Sequence, residues 1–261
     1  MAKFCSLFSG SSGNCTYIGS TEGGLLIDIG VSAARAQKAL EEHNLDIDKI
    51  KGIFVTHAHT DHIGGVRVFA KRFNIPIYMT KDTENTIKAS GQFKDVEVNH
   101  IDENNIEFDF AKVSHFNTSH DSKGSCGYVV ELNDRKLAVC TDLGYISDEV
   151  HSAITGSDLV LIESNHDIRM LQNNMDYPYQ LKCRIMSNEG HLSNNACAEE
   201  VVKLLNSGTK RFVLGHLSRE NNMPILARET TRAQLEIIGA KDDYDYKLGV
   251  AMPKDNRVVI L

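Results

Sequence analysis

The stretch FVTHAHTDHIGG, residues 54–65, decides the fold class of this chain. Three histidines and one aspartate follow an apolar run within six residues, in the order H-x-H-x-D-H. On a strand, His57 and His59 project to the same side, and Asp61 and His62 can face a second point as the chain turns into a helix. Imidazole and carboxylate groups suit Zn²⁺, Mn²⁺ or Fe. A polar loop with coincidental histidines is the alternative, but four ligand-type residues in a strand-to-helix turn form a specific pattern, so we predict a metal-binding loop.

This cluster alone cannot saturate two metal ions, so further ligands are expected at other strand ends. Asp142 in VCTDLG and His216 in VLGHLS each follow an apolar run directly. His120 in NTSHD lies in a polar stretch before a predicted hairpin. Together with the histidine loop, these three residues complete a ligand set for two metals.

The order of these motifs resembles that of the metallo-β-lactamase fold superfamily, and the resemblance covers essentially the whole chain. It implies an α/β (α+β) fold, a four-layer αββα sandwich of two mixed sheets with helices outside and the metals at one edge. It also implies two divalent ions per chain, zinc or manganese, with iron as a third candidate. The implied ligands are His57, His59 and His120 for one ion, Asp61, His62 and His216 for the other, and Asp142 as the bridge.

The resemblance also implies a role for Asp28 in LLIDIG, because the early aspartate of the family supports the histidine loop through hydrogen bonds. An ordinary strand-end or turn aspartate is the alternative.

Two divalent ions share a hydroxide, lower its pKa towards neutrality and polarise the scissile group. The nucleophile would therefore derive from water, and Asp61 would belong to the catalytic apparatus as well as to the metal site.

Local features favour phosphodiesters among the lactams, thioesters, lactones and phosphodiesters that the superfamily hydrolyses. Asp142 supplies a bridging carboxylate, which lactamases of this fold commonly lack; Cys140, two residues earlier, is expected to be buried in its strand. His191 and Glu163 resemble the histidine–glutamate pair of ribonuclease Z, in which the glutamate orients a histidine near the leaving oxygen. A carboxylate partner favours the imidazolium form, which suits a general acid. The alternative for His191 is a residue near a helix N-terminus that binds nothing.

Several longer motifs resemble the bacterial YycJ or WalJ type within this superfamily, single-domain proteins regarded as 5′-to-3′ DNA exonucleases. The resemblance implies a nucleic-acid substrate, with DNA preferred. The motifs are SGSSGN (9–14), ESNHD (163–167), YPYQLKCRI (177–185), GHLSN (190–194) and GHLSRENN (215–222).

The stretch SGSSGN looks like a linker but joins two predicted strands. Gly10 and Gly13 permit backbone conformations that aim several amides at an anion. We therefore expect this loop to border the metal cleft, although a plain hairpin loop is the alternative. The candidate substrate contacts lie in this loop or beside the other motifs: Ser11, Ser12, Asn14, His166 and Arg219.

Composition sets the remaining limits. The 261 residues are 41% hydrophobic, contain no Pro-rich linker and are predicted to form one domain over 1–261. The net charge of −7 argues against a broadly basic nucleic-acid surface, but bound cations can supply positive charge locally. No apolar run suits a membrane span, no secretory signal is visible, and the six scattered cysteines indicate reduced thiols. We expect a cytoplasmic protein without a membrane partner; the oligomeric state stays open.

Four local patterns give structural predictions. Asn133-Asp134 between two apolar runs predicts a hairpin over 126–141. Ser193 is the predicted N-cap of a helix over 194–206. One strand is predicted over 106–114, and a closing hairpin over 246–261.

Two other functions remain open. A small-molecule hydrolase, such as a glyoxalase II-like thioesterase or a lactonase, would use the same histidine loop but leave Glu163 and His191 idle. A non-catalytic, metal-binding regulatory protein would retain only the fold. The complete ligand set argues against the second alternative.

Overall fold

Two seven-stranded β-sheets form the centre of the computed structural model, which describes residues 1–101, 105–254 and 256–261. The strand order is β14-β1-β2-β3-β4-β5-β6 in the first sheet and β13-β12-β11-β10-β9-β8-β7 in the second. The first sheet contains β1 (Lys3–Phe8), β2 (Cys15–Gly19), β3 (Gly24–Ile27), β4 (Ile50–Phe54), β5 (Ile77–Met79), β6 (Val98–His100) and β14 (Val259–Ile260). The second contains β7 (Ile106–Phe108), β8 (Ala111–Asn117), β9 (Cys126–Leu132), β10 (Arg135–Cys140), β11 (Leu159–Glu163), β12 (Arg211–Gly215) and β13 (Lys247–Val250).

Both sheets are mixed. In the first, pairing is antiparallel from β14 to β3 and parallel from β3 to β6. In the second, pairing is antiparallel from β7 to β10 and parallel from β10 to β13. The helices are α1 (Ala33–Glu42), α2 (Thr60–Ile63), α3 (Val66–Phe73), α4 (Lys81–Ala89), α5 (Asp148–Ile154), α6 (Ile168–Asn173), α7 (Tyr179–Ile185), α8 (Asn194–Asn206) and α9 (Pro224–Ile237), with a 3-10 turn at Ile47–Lys49.

The layering follows from strands that are apolar on both faces. In β11, Leu159 and Leu161 enter the cluster between the two sheets, whereas Val160 and Ile162 pack with residues of α8 and α9. Burying each aliphatic side chain of this kind stabilises the folded state by about 1.5–3 kcal/mol relative to leaving it exposed. The Tyr128 hydroxyl crosses between the sheets and donates to the Val55 carbonyl at 2.7 Å. The predicted sandwich of two mixed sheets with helices outside is therefore confirmed.

The predicted closing hairpin over 246–261 is wrong. Strand β13 pairs with β12 in the second sheet, whereas β14 pairs antiparallel with β1 in the first, so the chain crosses between sheets after β13. Two apolar segments around a turn-like PKDN stretch do not reveal that each has a different partner. Asp255 of that stretch lies outside the described residues.

Other local predictions have mixed outcomes. The segment predicted as one strand over 106–114 is a tight hairpin of β7 and β8, and its turn at 109–110 carries no glycine, proline or asparagine signal. The predicted 126–141 hairpin is confirmed, with positive φ angles of 50° and 61° at Asn133 and Asp134. Ser193 caps α8 as predicted by accepting from the Ala196 amide. Within the described part of the chain, no helix has the length and hydrophobicity that crossing a bilayer requires.

Candidate metal centre

One edge of the sandwich gathers the polar residues that follow the parallel strands. The carboxyl ends of parallel strands meet at a common edge, which is where sites form in open α/β sheets. Asp28 and His216 directly follow β3 and β12, Asp142 is the second residue after β10, and each has a left-handed φ, of 59°, 53° and 59° respectively. This region is uncommon for residues other than glycine and costs of order 1 kcal/mol or more. All three residues make the sharp turn that ends a strand at this edge.

The first predicted triad converges. His57, His59 and His120 each offer a ring nitrogen, and these atoms lie within 4.8 Å of one another. His57 Nε2 is 3.0 Å from His59 Nδ1, which is 3.3 Å from His120 Nε2. Burial, reinforced by the neighbouring His62, holds the pKa of His57 well below its ordinary value. A neutral imidazole is the form that binds a cation.

The second predicted triad also converges. Asp61, His62 and His216 offer atoms within 4.8 Å of one another. Asp142 lies between the triads: its carboxylate is 3.2 Å from His62 Nε2, 3.3 Å from His216 Nδ1 and 3.8 Å from His120 Nε2. The structure therefore brings all seven predicted ligands together, with Asp142 in contact with members of both triads.

The donor set fits divalent cations. Among the residues that the structure describes, Asp142 Oδ2 and His216 Nε2 are buried without a hydrogen-bond partner. A buried polar atom left unpaired is costly, and a cation would satisfy both atoms. Imidazole nitrogens with carboxylate oxygens suit Zn²⁺, Mn²⁺ and Fe. The site therefore has the chemistry of a cation site, which agrees with divalent metal use.

The protonation of the cluster supports the same conclusion. Burial alone would lower the pKa of His216, but Asp142, Asp61 and Glu163 outweigh it and raise that pKa to about 10. Asp142 and Asp28 likewise raise the pKa of His62 well above its ordinary value, against the effect of burial. Without a cation, protons on these rings balance the buried carboxylates. A divalent ion would take the place of those protons.

Asp28 lies behind the histidine loop. Its Oδ1 accepts from the Thr56 amide at 2.8 Å, and its Oδ2 accepts from the Thr56 hydroxyl at 2.8 Å and from His62 Nδ1 at 2.7 Å. These bonds fix the ring of His62 and direct Nε2 towards Asp142. A carboxylate that holds the second nitrogen of a metal-binding histidine is a recurring feature of such sites.

The SGSSGN loop braces two parts of this centre. The backbone amide of Asn14 donates to the Asp61 carbonyl at 2.8 Å, and the side-chain nitrogen of Asn14 lies 3.0 Å from His62 Nε2. The Ser9 hydroxyl accepts from the His216 amide at 2.8 Å. Gly10 and Gly13 have φ angles of 119° and 142°, which permit the tight path of the loop. The loop therefore supports the predicted ligands and also forms part of the border of the cleft.

The predicted substrate contacts separate into three groups. Ser11 lines the cleft beside the predicted ligands. Ser12 accepts a hydrogen bond from the exposed Arg219, so these two residues form a pair at the surface. Asn14 and His166 are buried and do not line the cleft; burial lowers the pKa of His166 to about 4. The structure thus places only Ser11 of the five on the cleft wall.

Glu163 connects two histidines. It is 0% exposed; its Oε1 accepts from His191 Nδ1 at 2.9 Å and from His216 Nδ1 at 2.7 Å, while Oε2 accepts two backbone amides. Burial would raise the pKa of Glu163, but His191 and His216 offset this and bring it to about 2. Burial would lower the pKa of His191, but the adjacent Glu163 carboxylate raises it overall. His191 therefore favours the imidazolium form, with Nε2 left for the cleft.

The cleft itself has a volume of about 250 Å³ and contains residues that the sequence analysis missed or undervalued. Asp121 accepts from Arg184 Nε at 2.6 Å, and its other oxygen is 3.4 Å from His59 Nε2. Its place directly after His120 was the available signal. Tyr177 also lines the cleft, and no ligand-type pattern marked it. Cys140 is buried in β10, as expected, and does not line the cleft.

Gly30 is where the SGSSGN loop meets the histidine loop. A Cβ atom at Gly30 would lie 1.6 Å from the Asp61 carbonyl oxygen and 2.8 Å from the Asn14 amide nitrogen. Gly30→Ala should therefore displace the histidine loop and lower the free energy of unfolding by about 3 kcal/mol or more. Chemical denaturation and metal content after dialysis measure the two effects. At Gly249 the nearest atom would be 3.9 Å away, so Gly249→Ala is the control, expected to change stability by less than about 1 kcal/mol. A fully stable, metal-binding Gly30→Ala would contradict this packing.

Comparison with known proteins agrees with this architecture. The family model described as the metallo-beta-lactamase superfamily matches residues 9–216. Exodeoxyribonuclease YycJ of Bacillus anthracis is 36% identical over 235 residues, covering 89% of each chain. Exodeoxyribonuclease WalJ of Streptococcus pneumoniae strain D39 is 35% identical over 250 residues, covering 94% of this chain and 93% of that protein. The zinc-bound PqqB structure from Methylobacterium extorquens covers both chains completely with a TM-score of 0.73 at 14% identity, a likeness of fold alone.

Proposed function

The chain belongs to the metallo-β-lactamase superfamily, and we propose that it is a dinuclear metal-dependent nuclease that degrades DNA from the 5′ end. The observation that carries the proposal is the convergence of two three-residue groups on Asp142, beside the His191–Glu163 pair. The inter-sheet core, to which both halves of the chain contribute, supports a single domain over 1–261.

Two zinc or manganese ions would be held by the seven clustered side chains, with iron as a third candidate. His57, His59 and His120 would hold one ion, Asp61, His62 and His216 the other, and Asp142 both. Such ions supply hydroxide at neutral pH and neutralise charge on a phosphoryl group. Asp28 would keep His62 in the tautomer whose Nε2 is free to bind.

His191 would act as the general acid. Glu163 holds Nδ1 and favours the protonated ring, so Nε2 carries the proton that the leaving oxygen requires. The side chain of His191 is 23% exposed and lines the cleft, so it can reach a bound substrate. A thioesterase releases a thiolate, a much weaker base than an alkoxide, and has less need of such an acid, so the pair favours the nuclease over the thioesterase alternative.

The relatives support nucleic acid as the substrate. Both exodeoxyribonucleases match over about nine-tenths of their length, so the resemblance extends well beyond the metal loop. The net charge of −7 provides no broad basic surface. Attraction of the scissile phosphate would therefore depend on cations held at the cleft. Ser11 would lie beside that phosphate, and Ser12 and Arg219 at the rim.

A substrate panel tests the function. With Mn²⁺ or Zn²⁺, the protein should release nucleotides from 5′-phosphorylated single-stranded DNA, and a 5′-terminal label should appear as mononucleotide before a 3′-terminal label does. RNA of the same sequence should react more slowly, and a chromogenic cephalosporin and lactoylglutathione should be unaffected. Rates for all four substrates measured at one metal concentration provide the comparison. Turnover of only the last two substrates would overturn the nuclease proposal.

A further inference from the structure

One wall of the cleft is apolar and has no part in the chemistry proposed above. It is formed by the segment from α6 to α7, which places Tyr177, Leu181 and Ile185 along the same cleft as the metal cluster. Leu181 and Ile185 lie four residues apart on α7 and therefore share a helix face. All three side chains are half-buried. The cleft thus has a charged side, with the histidines and Asp142, and an apolar side.

Tyr177 supplies an aromatic ring to this wall. Among the described residues that line the cleft, it is the one Phe or Tyr, and the chain contains no Trp. Every nucleobase has a flat π-face that stacks on such a ring without regard to sequence. An apolar wall beside a cation site matches a ligand that carries a phosphate next to a flat base. A small acyl or lactam group would gain little from a tyrosine at this position.

The size of the cleft limits what can enter. Its volume of about 250 Å³ lies just below the range of roughly 300–1,000 Å³ typical of small-molecule sites. One nucleotide end fits this space better than a duplex. Arg184, on the same wall, is held by Asp121 next to His59 and His120, so its charge is already partly balanced. The aromatic ring, not this arginine, is therefore the unoccupied recognition group of the wall.

We propose that Tyr177 stacks on the nucleobase adjoining the scissile phosphodiester, with Leu181 and Ile185 as the apolar support of that stack. This inference rests on the proposed nuclease function and assigns a substrate-positioning role within it. Tyr177 positions the end of the strand so that the terminal phosphodiester lies against the metal cluster. It does not select sequence, because all four bases stack.

The test compares three variants on two DNA substrates. Tyr177→Ala should lower kcat/KM on ordinary single-stranded DNA by about 5- to 100-fold, mostly through KM, since base–aromatic stacking has this magnitude. Tyr177→Phe should retain near wild-type activity. Tyr179→Ala is the matched control: Tyr179 is 80% exposed, lies two residues away and does not line the cleft. The second substrate carries abasic sites at its first two 5′ nucleotides, and on it Tyr177→Ala should match the wild type.

The outcomes separate the stacking role from the proposed function. Suppose that the wild type cleaves DNA, and that Tyr177→Ala either keeps its kcat/KM or loses the same factor in kcat/KM on both substrates. The stacking role is then wrong while the nuclease function stands. An equal loss in Tyr179→Ala would also overturn the stacking role. If the wild type cleaves no DNA under any metal condition, both proposals fail. Circular dichroism melting of each variant excludes unfolding as the cause of a loss.

Discussion

An Asp142→Asn variant should retain its fold but lose most of its bound divalent metal, and kcat on DNA should fall by at least about 10³-fold. Asparagine preserves the size of the side chain and tolerates the left-handed φ of 59° at this position. It removes the carboxylate that, alone among the described residues, contacts members of both triads, at 3.2 Å from His62 and 3.8 Å from His120. Losing several kcal/mol of charge stabilisation in the transition state corresponds to a factor of this size.

Metal analysis after dialysis, single-turnover cleavage and thermal melting measure this effect. Because a ligand that binds only the native state stabilises it by mass action, added Mn²⁺ or Zn²⁺ should raise the Tm of the wild type far more than that of the variant. Asp158 directly precedes the first residue of β11 and pairs with Arg135. Asp158→Asn is therefore the control, and its Tm should respond to added metal as the wild type does. If the variant kept two ions per chain and cleaved DNA at the wild-type rate, the proposed bridging role of Asp142 would be wrong.

Sequence pointed to the candidate metal ligands because most of them have a local signal. Asp142 and His216 closely follow buried apolar runs. These runs form β10 and β12, parallel strands on either side of β11, so the residues that lead out of them could be expected at one edge. The histidine loop has its spacing as a signature. The pairing of Glu163 with His191 was available only through the family resemblance, because the two residues lie 28 positions apart and meet through a turn that no pattern defines.

Other features depend on contacts between distant segments and had no sequence signal. Ser9 and Asn14 looked like linker residues or substrate contacts. In the structure the Ser9 hydroxyl accepts from the His216 amide, and the Asn14 side chain lies against His62. Tyr177 lies between two short helices that lack strong apolar periodicity, so neither helix nor the wall was predicted. The final strand pairs with β1, at the opposite end of the chain. In each case the decisive partner is remote in sequence, and local propensity carries no information about it.

The second large effect is expected at His191. His191→Ala should slow cleavage of DNA by about 10²- to 10⁴-fold, the usual contribution of a positioned general acid. The rate of the same variant on thymidine 5′-p-nitrophenyl phosphate should fall by less than about tenfold, because nitrophenolate departs without taking a proton. Metal content should stay at the wild-type level, since the seven proposed ligands remain in place. Steady-state rates on both substrates, with metal analysis of the same samples, provide the measurement.

The control for this prediction is a similar pair elsewhere in the molecule. His151 Nδ1 lies 2.5 Å from Glu200 Oε1, and this glutamate is also buried, but neither residue lines the cleft. His151→Ala removes the same kind of contact and should leave both rates unchanged. An equal loss of His191→Ala on DNA and on the nitrophenyl ester would mean that the ring does not protonate the leaving oxygen. Loss of metal from His191→Ala would instead show that Glu163, freed from one histidine, no longer holds His216 in position at 2.7 Å. Retained metal together with substrate-dependent loss is the combination that only a general acid produces.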